Sequence, residues 1–153
     1  MNVARRYKAP YRPSVAQEAG ALPLDAGEVV RWEGRVWAGE GTPPKRTPEG
    51  YVVVTDRRIR LVTHRLLGAD RVLDIPFEAV RGVARDQQRG FLVVRFVDEQ
   101  GAVSSLHLGG FSFASAAAPA AGLPSRTDAA ATAAIERAIL DACGPDAGGS
   151  TSG

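Results

Sequence analysis

Few residues in this chain are of the kinds that do chemistry, and their spacing is poor for it. Histidine occurs at His64 and His107, and cysteine at Cys143 alone. The histidines fall on different expected strands. Neither has a cysteine or carboxylate at the short ligand spacings that zinc sites use. Ser104, Ser105 and His107 stand close enough in sequence to suggest a nucleophile and its base. Neither serine sits in a Gly-x-Ser-x-Gly elbow, and neighbours two apart are routine in any strand. Cys143 comes at the end of an expected helix, where the negative end of the dipole disfavours a thiolate. No glycine-rich phosphate loop opens a helix. The expectation is a protein that is not an enzyme and holds no metal and no cofactor.

What remains is binding chemistry. Arg5, Arg6, Lys8 and Arg12 interleave with Tyr7 and Tyr11. Such a run reads either as a tether for anionic lipid or nucleic acid or as a solvated tail, and its charge is near the minimum for lipid attraction. Interleaved Arg and Tyr also suit single-stranded nucleic acid. The net charge of +2 leaves the body near neutral and disfavours that partner. Trp37, Phe111 and Phe113 are candidate anchors for a protein partner, because aromatic side chains dominate interface energy. Their simpler role is burial, with Phe111 and Phe113 plugging an open end of the sheet assembly.

The elements that must position these groups are mostly strands. Gly50–Leu67 reads as a hairpin. Tyr51–Val54 is an apolar, β-branched run, Thr55–Arg58 breaks it, and Ile59, Leu61 and Thr63 then alternate with Arg60, Val62 and His64. Asp56 favours the turn by bonding backbone about two residues on, and is expected to pair with Arg57 or Arg58. Glu28–Ala38 alternates too: Val30, Trp32, Gly34, Val36 and Ala38 share one face, and Arg31, Glu33, Arg35 and Trp37 the other. Trp32 is expected in the core, and Trp37 on the polar face, free to cover a sheet edge or meet a partner. Gly39–Gly50, rich in Pro and Gly, is a loop with Lys45 and Arg46 at its tip. Val72–Ile75 is a short strand stopped by Pro76. Phe77–Asp86 reads as the next, kinked near Gly82. Phe91–Val97 and Val103–Leu108 complete seven.

Ser125–Asp128 then offers a capping box, and Ala131, Ile135, Ala138, Ile139 and Ala142 form one apolar stripe of a helix that Gly144 and Pro145 stop. Ser14–Gln17 has capping-box spacing as well. The chain of 153 residues suits one domain with tails: a basic N-terminal arm over 1–24, expected to be flexible, a folded domain over 25–143, and an unstructured tail over 144–153. A domain of this size needs no disulfide or metal, and a lone cysteine suits a reducing cytosol. No apolar run approaches the ~20 residues that span a bilayer, and Met1–Pro13 lacks the apolar core of a secretory signal.

Short antiparallel strands followed by one amphipathic helix suggest a sheet curled over that helix, a mainly β (α+β) fold. Val54–Ile59, VTDRRI, resembles the "T-D-x-R-hydrophobic" hairpin of bacterial pleckstrin-homology-like domains and the related GRAM domains. Ile75–Val80, IPFEAV, resembles their "I-P-x-x-I/V" step into the fifth strand. The likeness covers Glu28 to about Cys143. It implies a barrel of seven antiparallel strands in two bent sheets, capped by the C-terminal helix, with a structural role for the hairpin landmark. Some members hold inositol phosphates between their first two strands. By that resemblance Arg35, Lys45 and Arg46 are the candidates here, although Tyr51–Val54 carries no basic residue and leaves the pattern incomplete. The expected function is a non-catalytic cytoplasmic adaptor that docks a protein through a sheet edge, a groove beside the helix, or its exposed aromatics. The alternative is peripheral binding to anionic lipid at the inner face of the membrane, through the basic arm and the first loop. Self-association through a sheet edge stays open.

Overall fold

The computed structural model describes residues 3–8, 24–41, 49–63, 71–87, 89–111 and 127–144. The strands are β1 (Arg5–Lys8), β2 (Val30–Glu40), β3 (Glu49–Thr55), β4 (Arg58–Thr63), β5 (Arg71–Pro76), β6 (Val80–Arg85), β7 (Leu92–Val97) and β8 (Val103–Gly110), followed by helix α1 (Ala129–Cys143). All pair antiparallel in one sheet, in the order β1-β5-β4-β3-β2-β8-β7-β6.

Two expectations on strand number need correction. Among the described residues the sheet has eight strands rather than seven, and it is a single curled half-barrel rather than two bent sheets. The extra strand is β1, which lies where sequence reading placed the arm; its partner is β5. Arg5–Lys8 lacks an apolar alternation, so nothing local marks it as a strand. The sheet stays single because β2 is long enough to serve both halves. Its Val30–Trp37 stretch pairs with β3, and its Val36–Glu40 stretch pairs with β8. Gly34 within it has the Trp32 ring folded over its face, so close that a Cβ there would lie 2.8 Å from the indole.

The concave side holds the core. Val36, Val52, Val54, Ile59, Phe96 and Leu108 are fully buried there, together with Ile135 and Ile139 of α1. Each such side chain stabilises by about 2 kcal/mol relative to exposure. Trp32 packs against this cluster from its margin. The expected fifth strand begins later than sequence suggested: Pro76 is followed by a 3₁₀ turn, Phe77–Ala79, and β6 starts at Val80. The expected kink is a register shift between Val80 and Gly82.

Helix α1 closes one end. Asp128 is its N-cap and accepts the Ala131 N–H, Gly144 ends it at φ 85°, and its tightest seat is the end of β8. There the Thr132 hydroxyl accepts the Gly110 N–H at 2.9 Å and donates to the Asp128 carbonyl at 2.7 Å. Ser125 and Arg126 of the expected capping box, Ser14–Gln17 and residues 145–153 lie outside the described residues.

Candidate functional site

The hairpin corner is built for stability. Thr55, fully buried, accepts the N–H groups of Arg57 and Arg58, each at 3.0 Å. Asp56 does not make the turn bond expected of it. Its Oδ1 accepts the Val29 N–H at 2.9 Å, and its own N–H donates to the Val29 carbonyl. Nor is an arginine of the turn its partner. Arg58 forms a two-pronged pair with Glu28, at 2.8 and 2.6 Å, and Thr55 donates to the same carboxylate at 2.7 Å. The Arg58 bond holds the Glu28 carboxyl down to about 2, against the opposing effect of burial. Asp74 continues the network, accepting from Arg60 at 3.1 Å and from the Tyr7 hydroxyl at 3.1 Å. These charges knit β1, β5, β4 and the approach to β2, and their bonds are satisfied within the protein.

Among the described groups of catalytic type, His107 is buried, Ser104 is hydrogen-bonded and Cys143 is half-buried. His107 is 8% exposed, its Nδ1 has no hydrogen-bond partner, and burial lowers its pKa. Phe91 stands edge-on to its ring, with centroids 6.4 Å apart. Ser104 donates to the Asp98 carboxylate at 3.2 Å. The Cys143 thiol is pushed up to about 11 by burial, with Glu78 adding to the effect. Among the described residues no cluster of His, Cys, Asp and Glu could hold a metal ion. His64 lies outside them.

Three of the sequence-predicted site residues come together. Arg35 and Trp37 alternate onto the convex side of β2, opposite buried Val36. Phe111 follows β8, and its N–H donates to the Arg35 carbonyl at 3.3 Å, which brings its ring beside both. The Trp37 and Phe111 rings are 4.9 Å apart and tilted by 42°. The Arg35 guanidinium lies 5.8 Å from the Phe111 centroid and 3.5 Å from Glu49. The result is a half-buried aromatic step with a cation on its edge, at the seam where β2 changes partners. Phe111 therefore does not plug an end of the sheet. It stacks on the convex side, because the β2–β8 register puts the end of β8 beside Trp37. Lys45, Arg46 and Phe113 lie outside the described residues.

A second concavity opens at the end of the half-barrel away from α1. This cavity of about 460 Å³ has Leu61, Leu73 and Leu106 among its apolar walls and Arg6, Tyr7 and Glu40 among its polar ones. Arg6 reaches across to Glu40 at 2.6 Å and lies 5.8 Å from the centroid of the Phe96 ring. The Glu40 bond raises the Arg6 pKa. Sequence reading missed Glu40 and its pair with Arg6. The signal available was that Glu40 shares the parity of Val36 and Ala38. Another groove, of about 470 Å³, runs between α1 and the start of β2, lined by Ala130, Ala134, Arg137 and Trp32 among others. No described helix is long and apolar enough to cross a membrane.

No family model and no curated protein matches the chain. Solved structures do. A chain in the 8S snRNP assembly intermediate is 10% identical, with a TM-score of 0.53 over 92% of this chain and 91% of that one. A chain from a structure concerning the PH and C1 domains of the Vav1 exchange factor is 10% identical, with a TM-score of 0.48 over 74% of this chain. A chain of Vav1 bound to an allosteric inhibitor gives 10% and 0.48 over the same share. This chain spans about a quarter of those two Vav1 chains, 25% and 26%. At such identity a likeness concerns the fold alone.

Proposed function

We propose that the chain is a non-catalytic binding module of PH-like fold, and that it docks a protein partner through the Arg35–Trp37–Phe111 step. The PH-like reading rests on two landmarks in their expected places: Thr55–Arg58 turns the β3–β4 hairpin, and Ile75–Val80 steps from β5 into β6. The single observation that carries the docking surface is the 4.9 Å aromatic pair beside a guanidinium. Aromatic and arginine side chains are the residues that concentrate binding energy at interfaces. On this reading the module works in the cytoplasm.

The test is the double substitution Trp37→Ala with Phe111→Ala, compared with wild type in affinity capture and in thermal melting. Loss of hot-spot residues weakens capture by about 2 kcal/mol or more, while melting shifts little, because both rings lie outside the buried core. Capture unchanged in a folded double variant would refute the assignment. The lipid reading draws less support, since Arg6 is held by Glu40 and Arg35 faces Glu49. Sedimentation with anionic vesicles tests it, and salt-sensitive pelleting would favour it over the protein partner.

A further inference from the structure

Strand β1 is bonded along both of its sides. On one side it pairs with β5, from Arg5↔Asp74 to Lys8↔Arg71. On the other, the Ala4 N–H donates to the Val97 carbonyl at 2.8 Å, and the Arg6 N–H donates to Glu99 Oε1 at 2.8 Å. Val97 ends β7 and Glu99 lies in the turn beyond it. In the hydrogen-bonded order β5 and β7 are separated by β4, β3, β2 and β8. β1 therefore fills a slot between two distant parts of the sheet.

Three carboxylates accept bonds from β1, and one of them, Glu40, meets a cation. Glu40 receives the Arg6 guanidinium, Glu99 the Arg6 N–H, and Asp74 the Tyr7 hydroxyl. Ala4 is 0% exposed, whereas Arg5, Arg6 and Tyr7 remain exposed. Recognition thus rests on main-chain bonds, one small buried residue and three carboxylates. Any extended segment of like chemistry supplies the same contacts, as in strand addition to a sheet edge. The cavity of about 460 Å³ lies behind Arg6 and Tyr7, so removal of β1 would widen the slot. β1 pairs with β5 and not with β2, so its departure leaves the β2–β3 and β2–β8 ladders intact.

We propose that this slot is a strand-acceptor site in which β1 is a displaceable resident. Its partner in trans is an extended basic segment of another protein, with the pattern small-x-Arg-Tyr that Ala4–Tyr7 now supplies. This inference uses a different surface from the aromatic step and stands independently of it.

The probe is the fluorescein-labelled hexapeptide Val-Ala-Arg-Arg-Tyr-Lys, followed by fluorescence anisotropy on the full-length chain. In wild type the tethered β1 competes at an effective concentration on the order of millimolar, so binding is weak. Ala4→Asp places a charge at a fully buried position and expels β1, and peptide binding then tightens by at least about tenfold. Adding Glu40→Gln or Glu99→Gln to that variant weakens it again. A folded Ala4→Asp chain that binds the peptide no better than wild type overturns the proposal. Should that variant fail to fold, hydrogen exchange on wild type decides. The Ala4 and Arg6 amides exchange far faster than those of the β3–β4 pair if β1 is displaceable, and equal protection overturns it. A concentration-dependent wild-type dimer that the peptide dissociates would make a second copy the occupant and overturn the choice of another protein.

Discussion

Glu28 keeps its charge against burial because three donors converge on it: the Arg58 guanidinium, the Thr55 hydroxyl and the Asp25 N–H at 2.9 Å. Its folded pKa of about 2 lies below the ordinary 4.5. The stabilisation is therefore complete above pH 4.5 and is lost as pH falls toward 2. Glu28→Gln should lower stability at neutral pH by about 2 kcal/mol, the value of a charge-assisted bond. The deficit should shrink in acid without vanishing, which urea titrations at pH 7 and pH 3 would show. His107 has the same sign for a different reason. Burial depresses its pKa below 6.5, Asp86 opposes the shift and Arg89 adds to it. Its contribution is present above pH 6.5 and is lost as pH falls through the depressed value. His107→Gln cannot titrate, so its melting temperature should fall less steeply on acidification than that of wild type. Parallel melting profiles would contradict this.

Among the elements, α1 is held to the sheet by polar bonds at one residue in addition to the apolar packing of Ile135 and Ile139. Thr132, fully buried, satisfies the Gly110 N–H and the Asp128 carbonyl together. Thr132→Val keeps the shape and leaves that N–H unsatisfied, at a cost of about 1–3 kcal/mol. Asp128→Ala removes the N-cap and should cost about 1 kcal/mol. Urea denaturation would rank the two. Gly110 allows the close approach, since a Cβ there would lie 2.6 Å from the Ala131 Cβ and 2.8 Å from the Asp128 carbonyl oxygen. Gly110→Ala must push the helix away, and the loss of stability should exceed that of Asp128→Ala. The β3–β4 hairpin and this helix were legible in sequence, because period-two and period-3.6 patterns are local. β1 was not, because Arg5–Lys8 is a strand only through its bonds to β5 and Val97.

For the whole molecule, closure depends on pairings distant in sequence. β2 meets β8 through Ala38↔Leu108, and β1 meets β5 through Arg6↔Leu73. Loops of that span must close before either contact contributes, so refolding should take on the order of milliseconds to seconds. Stopped-flow fluorescence of Trp32 and Trp37 would follow it, and completion within microseconds would contradict the dependence on β2–β8 docking. α1 closes one end of the half-barrel, and the Arg6–Glu40 pair lies at the mouth of the cavity at the other. The two proposed docking sites, the convex aromatic step and the slot that β1 occupies, share no residue.

The amino-acid order by itself marked the cores of strands 2 to 8 and of the helix, though not all of their ends. Hydrophobic periodicity acts over a few residues and needs no partner to be read. It also pointed to Arg35, Trp37 and Phe111 singly, by residue type. Only the tertiary structure decided that these three meet, that Asp56 serves Val29 rather than its own turn, and that Arg6 pairs with Glu40. Each of those outcomes depends on register between segments far apart in the chain, and no local pattern encodes it.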